Sequence, residues 1–425
     1  MFTLQIIIAL ITIFLGIRLG GIAIGYMGGL GVACLCFLLG LAPGKIPIDV
    51  IMIIISVISA VSVMQVAGGM DYLVYLTEKL LRKNPKMINY FAPAVMYFLT
   101  FLAGTEHTAY SIMPVIIQVA KEEKIKPSIP LGLGVIASQI AIVASPISAA
   151  VIYMTGTLEP LGISYLTLLF FWFAVTFSAC MITAFIFNFF DIELKTDLNF
   201  KKDKSKKVEI KTSSKIAIMI FITGIVLVVT YAILISKNIA IIKDPIVSRG
   251  KATIMIMLGT AAMIALFTKA NTSDIVVSST FKAGMSACVC ILGVAWLGDT
   301  LISNHIPEIQ NSIGSLISKM PWLLALMLFM TNIFFYSQAA TAMVVIPLAM
   351  TLHVPPATII ASFPAVTALF VLPTYPTVLA AIQMDDTKST KIGKYVLNHS
   401  FMLPGLMMVG IAIIASFFFS HLIFQ

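Results

Sequence analysis

The chain has 425 residues, of which 60% are hydrophobic and only 11% charged, with a mean hydropathy of +1.04 and a formal net charge of +9. A soluble globular domain could not solvate such a surface, so the composition excludes that class and predicts a polytopic membrane protein of roughly ten spans. The positive charge is no nucleic-acid signal, because the basic residues lie in short loops between apolar runs, where the positive-inside rule governs them.

Apolar runs cover 3–17, 20–40, 46–66, 87–103, 109–120, 131–154 and 163–190. The first has no basic segment before it and is followed by Arg18 instead of a small-residue cleavage site, so it reads as a first span and not as a cleaved signal. The stretch 191–215 is polar and rich in lysine, and is expected to be a disordered cytoplasmic linker. Apolar runs resume at 216–236, 252–268, 274–298, 321–336, 339–352, 356–382 and 396–420.

Two polar, helix-breaking segments fall inside these runs at matching places. The first is Gly104-Thr105-Glu106-His107-Thr108, followed by Pro114. The second is Ser337-Gln338-Ala339-Ala340-Thr341, followed by Pro347. The differences 341 − 108 and 347 − 114 both equal 233. The runs flanking these breaks are too short to span a bilayer, which needs about 20 apolar residues. Each broken pair therefore reads as a re-entrant hairpin, over about 87–120 and 321–352. Each half then makes five crossings and one hairpin. An odd number of crossings inserts the second half upside down, so residues 1–190 and 216–425 are expected to be inverted-topology repeats.

The halves match elsewhere. Asp49 and Asp71 flank the third run, as Asp274 and Asp299 do in the second half. The amphipathic stretches 71–84 and 300–318 follow, too polar to span, and predict helices lying in the interface. Placing both termini outside puts the basic residues of 79–86, 121–126 and 191–215 on the cytoplasmic side, in accord with the rule; the cluster 237–251 runs against it. The two hairpin tips then enter from opposite faces and meet near the midplane.

A re-entrant tip exposes the first N–H groups of a half-helix, which together with the dipole bind anions. The candidate ligands of an anionic substrate are Thr105, His107, Thr108 and Ser111 at the first tip, and Asn332, Ser337, Gln338 and Thr341 at the second. A second pair of breaks, Ser145-Pro146-Ile147-Ser148 and Pro373-Thr374-Tyr375-Pro376-Thr377, adds Ser145, Ser148, Thr374 and Thr377. Kinking and packing of membrane helices account for any one of these residues as readily as binding does. The symmetry of the whole set favours a site. Glu106 and His107 are adjacent ionisable groups at mid-depth, and so are candidates to carry a coupling proton.

The cysteines at 34, 36, 180, 288 and 290 read as small packing residues, with neither a disulfide framework nor a metal site expected. Asp385-Asp386, followed by lysines, reads as a solvated loop, and His399 as a cap at a helix start. No Walker A pattern is present, no catalytic constellation is visible, and no cofactor is expected.

Several stretches resemble the anaerobic C4-dicarboxylate transporter family. They are Ile13-Phe14 through Gly31, Gln65-Val-Ala-Gly-Gly-Met-Asp71 through Lys86, Ala144-Ser-Pro-Ile-Ser148-Ala-Ala-Val, and Leu397-Asn-His-Ser-Phe-Met-Leu-Pro-Gly405. The match runs in order over nearly the whole chain. The resemblance implies an elevator-like, all-α fold with hairpins, exchange of fumarate, malate or aspartate for succinate in the bacterial inner membrane, and, by analogy with elevator-type relatives, a homodimer. Cation-coupled carboxylate symport and an anion channel are the competing readings. One departure stands out: the family's first tip carries a second glycine where this chain has Glu106. A carboxylate there would repel a dianion unless protonated.

Overall fold

The computed structural model describes residues 2–19, 22–189, 211–235, 241–242, 244–309, 320–335, 337–373, 375–392 and 398–424. Among these residues the protein is helical, and the one paired extended contact is an isolated bridge between Ile392 and His399. Seven described helices are long and apolar enough to cross a membrane: Ile48–Val66, Pro85–Ala103, Tyr165–Phe189, Thr212–Leu234, Arg249–Thr268, Ser279–Asn304 and Met402–Ile423. Large apolar side chains such as Met219, Leu266 and Ile414 are exposed on these helices, as a lipid-facing surface requires. The protein is a polytopic membrane protein.

One set of helices comprises α1 (Phe2–Leu19), α2 (Ala23–Ala33, continued by a π-turn at Cys34–Leu38), α3 (Ile48–Val66), α10 (Thr212–Leu234), α11 (Arg249–Thr268), the short α12 (Thr272–Val277) and α13 (Ser279–Asn304). Here α1 packs on α2 and α10 on α11, while α2 lies against α13 and α3 against α11. Glycine permits the closest of these approaches. A Cβ at Gly25 would collide with the backbone of Val289 and Cys290, and one at Gly28 with that of Gly293 and Val294.

The second set holds α5 (Ile88–Ala103), α6 (Ala109–Glu122), α7 (Ser128–Ala141), α8 (Ala149–Leu158), α9 (Tyr165–Phe189), α14 (Leu323–Phe335), α15 (Gln338–Thr351), α16 (Pro356–Ser362), α17 (Pro376–Met384) and α18 (Met402–Ile423). One continuous apolar core runs through it. Polar pairs inside that core are matched: the Trp172 indole donates to Ile360 O at 3.1 Å, and the Tyr97 and Thr176 hydroxyls share a hydrogen bond of 2.7 Å. Between the two sets lies α4 (Gly69–Lys83), which packs on α10 on one side and on α5 and α6 on the other. Its Arg82 pairs with Glu78, at 2.8 Å, and with Glu122 of α6.

Several expectations change in detail. The runs 131–154 and 356–382 are each two helices separated by unwound chain, at 142–148 and, past a 3₁₀ turn at Phe363–Val366, at 367–373. The stretch 300–304 is not a separate helix but continues α13. Its polar side chains clamp the α2–α3 loop: Gly44 N–H donates to Thr300 Oγ1 at 3.0 Å, Lys45 N–H to Asp299 Oδ2 at 2.6 Å, and Asn304 Nδ2 to Ala42 O at 2.8 Å. A single turn follows at Ile306–Ile309, and 310–319 lie outside the described residues. So does most of the expected linker, although its last residues, from Thr212, already belong to α10. Asp385 is buried rather than solvated. His399 Nδ1 accepts the Phe401 N–H at 3.3 Å, immediately before α18.

Candidate binding site

The first interruption is shaped by one glycine. At Gly104 the chain leaves α5 with φ +67°, and its N–H closes on Thr100 O at 2.8 Å. A Cβ there would stand 2.8 Å from Ile147 Cγ1, in the α7–α8 break. Both the backbone angle and the space thus demand glycine. Thr105 is extended and its hydroxyl accepts the His107 N–H at 3.4 Å; a 3₁₀ turn over Glu106–Thr108 then leads into α6. At the second interruption Ser337 is extended and caps α15 by accepting the Ala340 N–H at 3.2 Å.

Thr108 and Thr341, at the shared 233-residue offset, perform one job. Thr108 Oγ1 donates to Thr105 O at 3.3 Å and shares a 3.2 Å hydrogen bond with Thr100 Oγ1 across the hairpin. Thr341 Oγ1 donates to Ser337 O at 2.8 Å and accepts from Asn332 Nδ2 at 3.0 Å. Each threonine sews the two limbs of its hairpin together.

A cavity of about 470 Å³ lies between the two tips. Gly104 to His107 and Ser337 to Ala339 line it, together with Tyr375 from the α16–α17 break and Ile24, Ser286 and Cys290 from α2 and α13. A neighbouring cavity of about 110 Å³ shares Thr105 and His107. The size suits a small metabolite. Of the residues singled out in the sequence, Thr105, Glu106, His107, Ser337 and Gln338 meet at this wall.

Most of the others stand behind it. Ser145 Oγ donates to Phe101 O at 2.7 Å, and Ser148 Oγ donates to Ile142 O at 2.7 Å while capping α8. Asn332 Oδ1 accepts the Ala368 N–H at 2.8 Å, and Thr377 Oγ1 accepts from Gln139 Nε2 at 3.3 Å. Ser111 is half-buried on α6 and does not line the cavity. Thr374 lies outside the described residues.

Sequence reasoning missed Tyr375, Ser286 and Cys290. Tyr375 was within reach, since it sits between two prolines that mark the break. Ser286 and Cys290 lie on a long helix with no break to advertise them.

Chemically, the wall offers donors and one acid. The N–H groups of Gln338 and Ala339 open α15 and have no carbonyl to bond within their own helix. The hydroxyls of Thr105, Ser286, Ser337 and Tyr375 stand around them. Among the described residues no lysine or arginine lines the wall. The Tyr375 hydroxyl donates to Glu106, whose side chain is buried, so a contact between the first tip and the second half's broken helix closes one side of the cavity.

Residues 1–424 match the family described as anaerobic C4-dicarboxylate membrane transporter. The chain is similar to C4-dicarboxylate transporter DcuA of Wolinella succinogenes, 55% identical over 426 residues that cover 98% of each chain. It is also similar to C4-dicarboxylate transporter DcuA of Escherichia coli, 49% identical over 427 residues with 98% of each chain covered. With anaerobic C4-dicarboxylate transporter DcuB of Escherichia coli it shares 36% identity over 444 residues, covering 99% of this chain and 98% of the relative.

Proposed function

The chain belongs to the anaerobic C4-dicarboxylate membrane transporter family, and from that premise we propose that it exchanges C4-dicarboxylates such as fumarate, malate, aspartate and succinate across the bacterial inner membrane by alternating access. The observation that carries this reading is the single cavity lined by both helix-breaking segments, which are more than two hundred residues apart in the chain. The free N–H groups that open α15 take one substrate carboxylate, and the hydroxyls of Thr105, Ser337 and Tyr375 orient the other. Thr108, Ser145, Ser148, Asn332, Thr341 and Thr377 hold the hairpins and broken helices in register.

The inverted repeat, with both termini in the periplasm, remains part of this reading. It is supported by the matched packing of α2 on α13 and α3 on α11, and by two hairpins followed by two broken helices. In it the hairpin-bearing set moves against α1–α3 and α10–α13, with α4 joining the two. Counterflow tests the function. Proteoliposomes loaded with succinate should accumulate labelled fumarate well above empty vesicles. Equal uptake in both would remove exchange, and uptake into empty vesicles driven by a proton or sodium gradient would replace it with symport.

A further inference from the structure

The amphipathic helix α4 links the end of α3 to the start of α5, two helices long and apolar enough to cross a membrane. Both its ends meet other helix termini. Ser214 and Lys215, at the start of α10, stand against Gly68 and Tyr72, while Glu122, at the end of α6, pairs with Arg82. The helix therefore runs along one membrane surface and not through the bilayer. One side of it is buried through Met70, Thr77 and Leu81. On the other, at 3.6 residues per turn, Tyr72, Tyr75, Leu76, Lys79 and Lys83 share about 100° of arc. All of these but the half-buried Tyr72 are exposed, as are Lys86 and Met87 just beyond the helix.

The charge on this face is one-sided. Glu78 and Glu122 are both taken by Arg82, and Asp71 sits in the first turn, at the far end from Lys83 and Lys86. Lys79, Lys83 and Lys86 have no acidic partner among the described residues. Lys215 extends the strip at the other end, its Nζ 5.8 Å from the Tyr72 ring, which stacks on Tyr75 with centroids 6.4 Å apart. Lys79 and Lys83, one helical turn apart, are spaced to take a single phosphodiester between them. Exposed leucines and tyrosines among lysines suit neither plain water nor plain hydrocarbon, but they match the headgroup layer, where lysine stems lie on acyl chains and their ammonium groups reach phosphate. We propose that this face of α4 is a docking surface for anionic phospholipid, held by Lys79, Lys83 and Lys86, with Leu76 and Leu80 against the acyl chains. The lipid thereby touches the one helix that packs on α10 on one side and on α5 and α6 on the other. The proposal does not depend on which substrate is carried or how.

The test is lipid binding to the purified full chain in a neutral detergent, read from the rise in Tm on titration with short-chain phosphatidylglycerol. The wild type should bind it about tenfold or more tightly than phosphatidylcholine of the same chain length. Each lysine near an anionic surface is worth a factor of roughly five. Replacing Lys79, Lys83 and Lys86 together by glutamine should therefore weaken phosphatidylglycerol binding by about tenfold or more and leave phosphatidylcholine binding as it was. Replacing the exposed Lys124, Lys251 and Lys269 by glutamine removes the same charge elsewhere and should change neither. Equal affinity of the wild type for the two lipids, or an equal loss in both triple variants, would overturn the proposal. Inorganic phosphate raising Tm as far as phosphatidylglycerol does at the same concentration would put a free anion in place of the lipid and overturn it too. One readout needs no variant: wild-type protein extracted from vesicles of equal phosphatidylglycerol and phosphatidylcholine content should carry an excess of the former. An equal mixture in the extract would count against the surface.

Discussion

Four hydrogen bonds converge on the Asp385 carboxylate, from the N–H and hydroxyl of Thr387 at 3.0 and 2.6 Å, the Ser389 hydroxyl at 2.8 Å and the Thr390 N–H at 2.7 Å. Ser389 in turn accepts the Ser128 N–H at 3.1 Å, at the start of α7. Burial pushes this carboxyl up, but the donors outweigh burial and hold it below the usual carboxylate range. Its folded-state pKa is therefore depressed. The stability it contributes is present above the unfolded value of about 3.9 and is lost as pH falls through the folded value. Asp385→Asn should cost about 1.5–3 kcal/mol at neutral pH, seen as a lower Tm in detergent. The gap to the wild type should close on acidification. A gap that persists with both proteins at pH 3 would sink this account.

At the scale of elements, the hairpins depend on buried side chains that bridge their limbs. Asn332 is the stronger bridge, because it also holds the Ala368 N–H in the α16–α17 break. Asn332→Ala strands that donor and removes the amide that Thr341 Oγ1 accepts from, and should cost about 1–3 kcal/mol for the Ala368 N–H left unpaired. Thr100→Ala removes only one hydroxyl contact in the first hairpin. Thermal unfolding of the two variants should therefore differ, with Asn332→Ala the less stable and the weaker binder of dicarboxylate; equal Tm values would contradict the ranking.

The breaks themselves were legible because Gly104, Ser337, Pro146 and Pro376 interrupt otherwise continuous apolar runs, and only glycine, proline or a capping hydroxyl does that cheaply. The roles of the residues within each break were less legible. A hydroxyl at such a place can turn to a ligand or back to the main chain, and Ser145, Ser148 and Thr341 turn back. Ser286 and Cys290 were hidden for another reason. A helix apolar all round gives no periodic signal of which face meets the cavity.

At the scale of the molecule, one ion pair among the described residues joins α11 to the hairpin-bearing set. Arg249 Nη1 lies 2.6 Å from Glu159 Oε2, just past α8, while Nη2 donates to Thr155 Oγ1 at 3.0 Å and the guanidinium sits 4.4 Å from the Tyr165 ring. Burial raises the Glu159 pKa despite Arg249 nearby, so the pair is held at some desolvation cost. It also explains why Arg249 sits in a cluster that runs against the loop-charge rule: its charge is matched locally. If the two sets move relative to each other, this contact must break. A partly exposed pair is worth about 1 kcal/mol, so Glu159→Gln should raise the maximal exchange rate by about fivefold where departure from this state limits turnover. An unchanged rate with an unchanged Tm would show that the pair does not restrain the motion.

The glycine seam between α2 and α13 has a consequence for biosynthesis. Gly25 and Gly28 touch a backbone that the ribosome delivers roughly 260 residues later, which at 5–20 residues per second means a wait of about 10–50 s. During that interval α2 stands in the bilayer with its bare, side-chain-free stripe turned to lipid or to the insertion machinery. Synthesis of the second half is thus the step that completes the first.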